Sequence, residues 1–263
     1  RAHAVCYALI AYQTAYLKAH WPAEFVASLM TAEGFEIERV AFLVEEARSL
    51  GITILPPSIS TSNPTFTVVS RPQGGEARPA TSGAAPQEIR FGLGSVKNVG
   101  ANVVEAIIAE RVKNGVFKSI ENFIERVQSK DLNKKSLESL VKCGAFDELG
   151  ERNLFLKNVD RLLEYARDIQ KQKAMGQPSL FSGLADTPKS PLRLENFPPA
   201  EKKERLLWEK ELLGLYISEH PLESYREILQ GKVIPVASLA DKPKNSLVSV
   251  GGLISGINRI VTK

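Results

Sequence analysis

Of the 263 residues only two are cysteine, three histidine and two tryptophan. Cys6 and Cys143 lie far apart, with no Cys or His companion at metal-ligand spacing. That argues against a zinc module and against a disulfide framework. Both are expected to be small buried apolar residues in a reducing compartment. No apolar run approaches the roughly 20 residues of a membrane-spanning helix, and no secretory leader pattern is present. A cytoplasmic protein without membrane contact is expected. Long runs of one charge are missing too: acidic and basic residues alternate along the helical stretches, and the net charge is only +4. Such a balance suits an acidic partner without requiring one. A grip made of backbone amides needs few cations, so the low charge does not count against it. Arg1 enters a helical pattern with no cap or initiator Met, and Lys263 ends inside a strand-like run. The chain is therefore expected to be a piece of something longer.

A hydrophobic share of 43% is enough for a sizeable core in one large or two small domains. Ala2 to His20 reads as a helix, because Val5, Leu9, Tyr12 and Tyr16 recur at spacings of four, three and four. Pro22 suits the first turn of the next helix. Glu36 to Leu50 is a third amphipathic helix, with Gly51 at its C′ position. Ile52 to Leu55, Thr65 to Val69 and Glu88 to Phe91 read as short strands. The Gly-, Pro- and Ala-rich stretch RPQGGEARPATSGAAPQ between the last two is expected to be a mobile loop. Further helices are expected over Ile120 to Val127 and Lys134 to Cys143, then one long helix marked by Phe155, Val159, Leu162, Ala166 and Ile169. Ala174 to Ala200 is a Pro-rich linker. Glu201 to Leu213 is helical and stopped by Gly214. Leu247 to Val261 alternates around Gly251, Gly252 and Gly256, like the opening strands of a small barrel.

The most informative stretch is FGLGSVKNVGANVVEAIIAER, Phe91 to Arg111. A short turn runs into Lys97-Asn98-Val99-Gly100, and a helix follows with Val103, Val104, Ile107 and Ile108 on one face. Gly100 lacks a Cβ, so another backbone can come close. The first amides of the new helix point outward with the positive end of its dipole, which suits a phosphate. The segment resembles a helix-hairpin-helix, a module that grips nucleic-acid backbone without reading sequence. Asn98 stands where that hairpin usually has its first glycine, and asparagine tolerates a left-handed backbone. An ordinary strand–turn–helix junction is the competing reading. Gln128 to Asn133 lies where a second hairpin would be, but carries no glycine.

Inside the linker, Gln177-Pro178-Ser179-Leu180-Phe181 places two large apolar residues side by side in a polar, extended setting. Gln-x-x-Leu-Phe resembles the short peptide with which bacterial proteins dock on the sliding clamp. Burying Leu180 and Phe181 is worth about 1.5–3 kcal/mol each. Loss of rigid-body freedom takes back several kcal/mol, so the peptide alone is expected to bind at roughly micromolar level.

Three ordered segments carry a wider resemblance. RAHAVCYALIAYQTAYLKAHWPAEF resembles the fingers signature of the bacterial DNA polymerase III alpha subunits, the C-family polymerases. GITILPPSIS, IRFGLGSVKNVG and LNKKSLESLVKCGAFDELG are similar to that family's run into its tandem helix-hairpin-helix. GQPSLF and EKELLGLYISEHPL are similar to its clamp peptide and the helix leading to its OB-fold. Arg1 departs from the usual Lys and Ala2 from the usual Ser. The charge is kept at Arg1, though as a planar fork rather than a point.

The resemblance implies a mainly α fold with small β elements. Its parts would be the C-terminal portion of fingers (residues 1–90), a tandem helix-hairpin-helix (91–175), a clamp peptide with linker and connecting helices (176–245), and the start of an OB-fold (246–263). It implies that Arg1, His3 and Tyr7 face the incoming nucleotide. It also implies that Lys97, Asn98, Val99, Gly100, Ala101 and Asn102, joined by Lys134 and Lys135, hold duplex phosphates, and that Gln177, Leu180 and Phe181 bind the clamp. For Lys134 and Lys135 a solvated helix start is the competing reading. The implied partners are primer–template duplex, the sliding clamp, a deoxynucleoside triphosphate and other replicase subunits. Nucleotidyl transfer in this family uses palm carboxylates holding two Mg²⁺ ions. No Asp pair here resembles them, since Asp131, Asp147, Asp160 and Asp168 read as helix-end or surface residues, so this chain alone is expected to be inactive. The alternatives are a translesion paralogue of the same family, a non-catalytic helix-hairpin-helix repair module, and a scaffold that never touches DNA.

Overall fold

Proline and glycine set most of the boundaries seen in the computed structural model, which describes residues 2–34, 36–69, 87–127, 132–174 and 192–254. Helix α1 (Ala2–His20) ends where Trp21, preceding Pro22, leaves the helical region at φ −135°, ψ 63°. Helix α2 (Pro22–Ala32) starts on that proline, and α3 (Ile37–Ser49) is closed by Leu50, with Gly51 left-handed at φ +77°. Strands β1 (Thr53–Leu55), β2 (Thr67–Val69) and β3 (Glu88–Arg90) form one sheet in the order β1-β3-β2. β1 runs parallel to β3 with Ile54 opposite Ile89, and β2 runs antiparallel to it with Val68 opposite Ile89. Ile89 is thus the buried centre of the sheet.

Helices α4 (Ala101–Asn114), α5 (Ile120–Arg126), α6 (Lys134–Lys142), α7 (Arg152–Lys157), α8 (Val159–Ala174) and α9 (Lys202–Leu213) follow. Their apolar stripes meet those of α2, α3 and the sheet in one continuous cluster. Phe117, Phe123, Phe146 and Phe155 line up in it edge to face, at centroid separations of 5.1, 4.8 and 6.3 Å. Such pairs add about 0.5–1.5 kcal/mol beyond their area. This body runs from Arg1 to Ile217; Ser218–Lys263, with the short helix α10 (Arg226–Leu229), forms a separate unit.

Three expectations are corrected. The long helix expected through Phe155 and Ile169 is two, α7 and α8, broken at Asn158. The buried Asn158 donates from Nδ2 to the Leu154 and Glu195 carbonyls (2.8 and 2.9 Å), while its Oδ1 accepts from the Glu195 amide at 2.9 Å. Asparagine competes with helical bonding in this way, and here it binds the returning chain. Cys6 is exposed on α1, unlike the buried Cys143, because Val5, Leu9, Tyr12 and Tyr16 around it also face outward. The stripe on α1 makes a helix, but a stripe does not by itself supply a covering surface. Finally, Leu247–Ile254 forms no strand. A ladder needs repeated partners, and the backbone bond described there runs from the Ile234 amide to the Ser249 carbonyl, 3.0 Å.

Of the remaining segments, Gln87 is described from the expected loop, whereas Arg71–Pro86 and Gln128–Asp131 lie outside the described residues.

Candidate nucleic-acid interface

The turn before α4 is fixed by close backbone packing. Gly92 and Gly94 lie against the Pro64–Thr65 backbone, where a Cβ would come within 2.5 Å of Thr65 and 2.7 Å of Pro64. The Leu93 and Gly94 amides donate there, to the Asn63 and Pro64 carbonyls, both at 2.9 Å. The next turn closes with the Val99 amide on the Val96 carbonyl, 3.2 Å. Asn98 takes the left-handed position at φ +67°, as expected of an asparagine in a glycine's place. Its Nδ2 donates to Ser139 Oγ on α6 at 3.2 Å. From the other side, the Lys97 amide donates to the Leu212 carbonyl at the end of α9, 3.1 Å.

Gly100 is the N-cap of α4 with φ −77° and ψ 154°, an extended backbone open to any residue. A Cβ there would meet nothing within 4 Å. Neither strain nor crowding within the chain therefore requires glycine at this position; what glycine leaves is bare, approachable backbone. The Gly100 carbonyl accepts from Val103 and Val104 at 3.1 and 3.3 Å, beginning the helix. Among the described residues no acceptor takes the amides of Gly100 or Ala101. The Lys97 and Val99 amides, by contrast, are already occupied inside the protein.

These groups open onto a groove of ≈ 570 Å³, with Asn98–Val103 on one wall and Asn133 and Ser136 on the other. The second wall is the start of α6. There Asn133 and Ser136 form a reciprocal cap, with the Ser136 amide on Asn133 Oδ1 and the Asn133 amide on Ser136 Oγ, both 3.0 Å. Lys97 and Lys135 are exposed beside the groove, with no carboxylate partner among the described residues. Lys134 is held by Asp160, its Nζ lying 2.7 and 2.8 Å from the two carboxylate oxygens. That hydrogen bond keeps the ammonium pKa above its ordinary value.

Two arginine nodes that sequence reasoning passed over hold the frame. Arg126 crosses from α5 to the end of α4. Its Nη2 reaches the Glu110 and Gly115 carbonyls at 3.1 and 2.6 Å, and its Nε reaches Glu110 Oε1 at 3.0 Å. The guanidinium sits 4.5 Å from the Phe117 ring centroid. It thus satisfies the Gly115 carbonyl just past the end of α4 and adds a bond to the Glu110 carbonyl in its last turns. Hydrogen bonds from Asn114 and Arg126 hold the Glu110 carboxyl below its usual range.

Arg152, almost fully buried, grips Asp147 through two hydrogen bonds of 2.8 and 2.7 Å and reaches Glu209 Oε1 on α9 at 3.3 Å. Gly144, at φ +88°, makes room for it: a Cβ would stand 2.4 Å from Arg152 Nη2. Asp147, expected as a helix-end or surface residue, is thereby one half of a structural ion pair. Glycine in Cys143-Gly144-Ala145-Phe146 was the legible signal; the distant partner, Glu209, was not.

His3 and Tyr7 share an exposed face of α1, ring centroids 4.6 Å apart and edge to face. Arg1, Gln177, Leu180 and Phe181 lie outside the described residues. Among the described residues no three His, Cys, Asp or Glu side chains gather into a group that could hold a metal ion. No described helix is long and apolar enough to cross a membrane.

Residues 51–154 match the helix-hairpin-helix motif family, a range that contains the turn, the groove and the arginine of each node. Along its whole length the chain is 38% identical to the DNA polymerase III subunit alpha of Borreliella burgdorferi. It is 37% identical to that of Mycobacterium tuberculosis strain H37Rv and 36% identical to that of Thermus aquaticus. It spans 22%, 22% and 20% of those proteins. The chain belongs to the DNA polymerase III alpha-subunit family, as a segment spanning about one fifth of the length of these curated relatives.

Proposed function

We propose that this segment holds the sugar-phosphate backbone of duplex DNA for a replicative polymerase. The observation that supports it most is the pair of unoccupied amides at Gly100 and Ala101, at a helix start and facing open space. A phosphate oxygen there would receive charge-assisted hydrogen bonds, and the helix dipole adds to them. Lys97 and Lys135 supply diffuse positive charge, and Lys134 can join if Asp160 releases it. Asn102 completes the exposed edge. Contacts of this kind carry no base information.

In the intact enzyme the reaction would be template-directed addition of deoxynucleotides, and Mg²⁺ held by carboxylates outside this segment would stabilise the charge that develops. This segment contributes placement. His3 and Tyr7, with Arg1, would face the nucleotide. Gln177, Leu180 and Phe181 would tie the enzyme to its clamp, and the DNA grip raises the effective concentration of that weak peptide. The isolated chain is proposed to be unable to extend a primer.

The decisive measurement is duplex binding by Gly100→Val across a salt series. The open surroundings at Gly100 let the variant fold, yet the new side chain screens the amides. Affinity should fall on every sequence tested by the same factor. Unchanged binding, or a loss confined to certain sequences, refutes the grip.

A further inference from the structure

Asn98 has two jobs that glycine could not combine. At φ +67° glycine is the residue with the least strain. Glycine, however, has no carboxamide, and the Asn98 Nδ2 hydrogen bond to Ser139 Oγ joins the turn to α6. Ser139 is only 4% exposed, so it lies behind the groove and is out of a ligand's reach. α6 is also the helix whose capped start, Asn133 and Ser136, forms the opposite wall. The contact at Asn98 therefore ties one wall directly to the helix that forms the other. The neighbouring Lys97 amide donates to the Leu212 carbonyl, a second tie of the turn to the body.

We infer that Asn98 is a positioning residue: its side chain locks the open start of α4 against α6, so that the free amides meet the phosphate already aligned. This rests on the reading of the groove as a phosphate grip. It differs from a direct contact, because the Asn98 donor is directed into the protein. Pre-alignment raises affinity by lowering the ordering cost at the moment of binding.

The experiment measures anisotropy of a labelled mixed-sequence duplex with the 263-residue chain and Asn98→Gly, Ser139→Ala, the double variant and Gly100→Val. Asn98→Gly keeps the turn conformation, so its melting temperature should stay near the parent's. Asn98→Gly and Ser139→Ala should each weaken binding about three- to ten-fold, the scale of one hydrogen bond, and the double variant should lose no more than the worse single. If Ser139→Ala binds normally while Asn98→Gly is weak, Asn98 touches DNA itself and the inference fails. If both bind normally while Gly100→Val is weak, the lock is irrelevant but the grip stands. If Gly100→Val also binds normally, grip and lock fall together. A drop in melting temperature that parallels the binding loss would reduce Asn98 to a fold residue and overturn the inference.

Discussion

Two helix starts line one groove, and they differ in what caps them. At α6 the chain satisfies two of its own donors, because the Asn133 and Ser136 amides are each bonded to the other's side chain, and the Lys134 ammonium is taken by Asp160; the Lys134 and Lys135 amides take no acceptor among the described residues. At α4 the N-cap is a glycine with no side chain to offer, and the Gly100 and Ala101 amides stay open. Ser, Thr, Asp and Asn are the favoured N-caps and glycine ranks only a few tenths of a kcal/mol behind them, so the bare start of α4 forgoes about that much stability. On the proposed reading, the difference separates a helix start capped for the fold from one left bare for a phosphate. It also ranks the expected losses: substitution at α4 should harm binding more than folding, and at α6 folding more than binding.

The largest effect belongs to Gly100→Val. A hydrogen bond to a charged group is worth about 1.5–3 kcal/mol, so losing the pair should weaken duplex binding by at least ~tenfold. The melting temperature should fall by no more than about 2–4 °C, the scale of a helix cap, since a Cβ at Gly100 meets nothing within 4 Å. Next comes Asn133→Ala. Removing this cap should cost ~1 kcal/mol, read as a melting point about 2–4 °C lower for a chain of this size. Duplex affinity should change less than about threefold, because the α6 amide that this cap serves, that of Ser136, is bonded inside the chain. A tenfold binding loss with an unmoved melting point would erase the distinction between the two walls.

A third test uses the two cysteines to check that the frame around α6 is closed. Burial pushes the Cys143 thiol up to about 12, whereas Cys6 lies exposed on α1. At pH 8 one thiol per native chain should react with a disulfide reagent, and two after denaturation. Two fast thiols in the native protein would mean that the core behind α6 opens readily.

What could be read from the sequence followed local rules. Gly51, Pro22 and Gly214 end or begin helices because their backbone conformations permit little else. Asn98 was legible as a left-handed residue for the same reason, and its bond to Ser139, forty-one positions away, was not. Arg126, Arg152 and Asn158 look like ordinary polar residues in helical sequence, but each works through carbonyls or carboxylates that only the fold brings near. The α1 stripe failed in the opposite sense: periodicity announced a helix and said nothing about its cover, so Cys6 and Tyr12 are exposed. At the groove, helix starts and glycine were visible in advance. Which amides remain open was not, because that depended on Leu212 taking the Lys97 amide.

The smallest effect tests whether α6 can be converted toward the character of α4. Lys134 gives both its approach and its charge to Asp160, and that hydrogen bond raises the lysine's pKa. Below the ordinary lysine pKa the pair is fully formed, and it is lost only as pH climbs through the raised value. The arrangement therefore persists at neutral pH. Asp160→Asn removes the competing carboxylate and leaves the ammonium free to meet a phosphate. Each phosphate neutralised adds roughly 0.9 to the slope of log affinity against log salt on duplex DNA. The variant should show that steeper slope, with a gain in affinity of about twofold or more at low salt that fades as salt rises. An unchanged slope would mean that Lys134 points away from the duplex, leaving Lys135 as the cation on this wall of the groove.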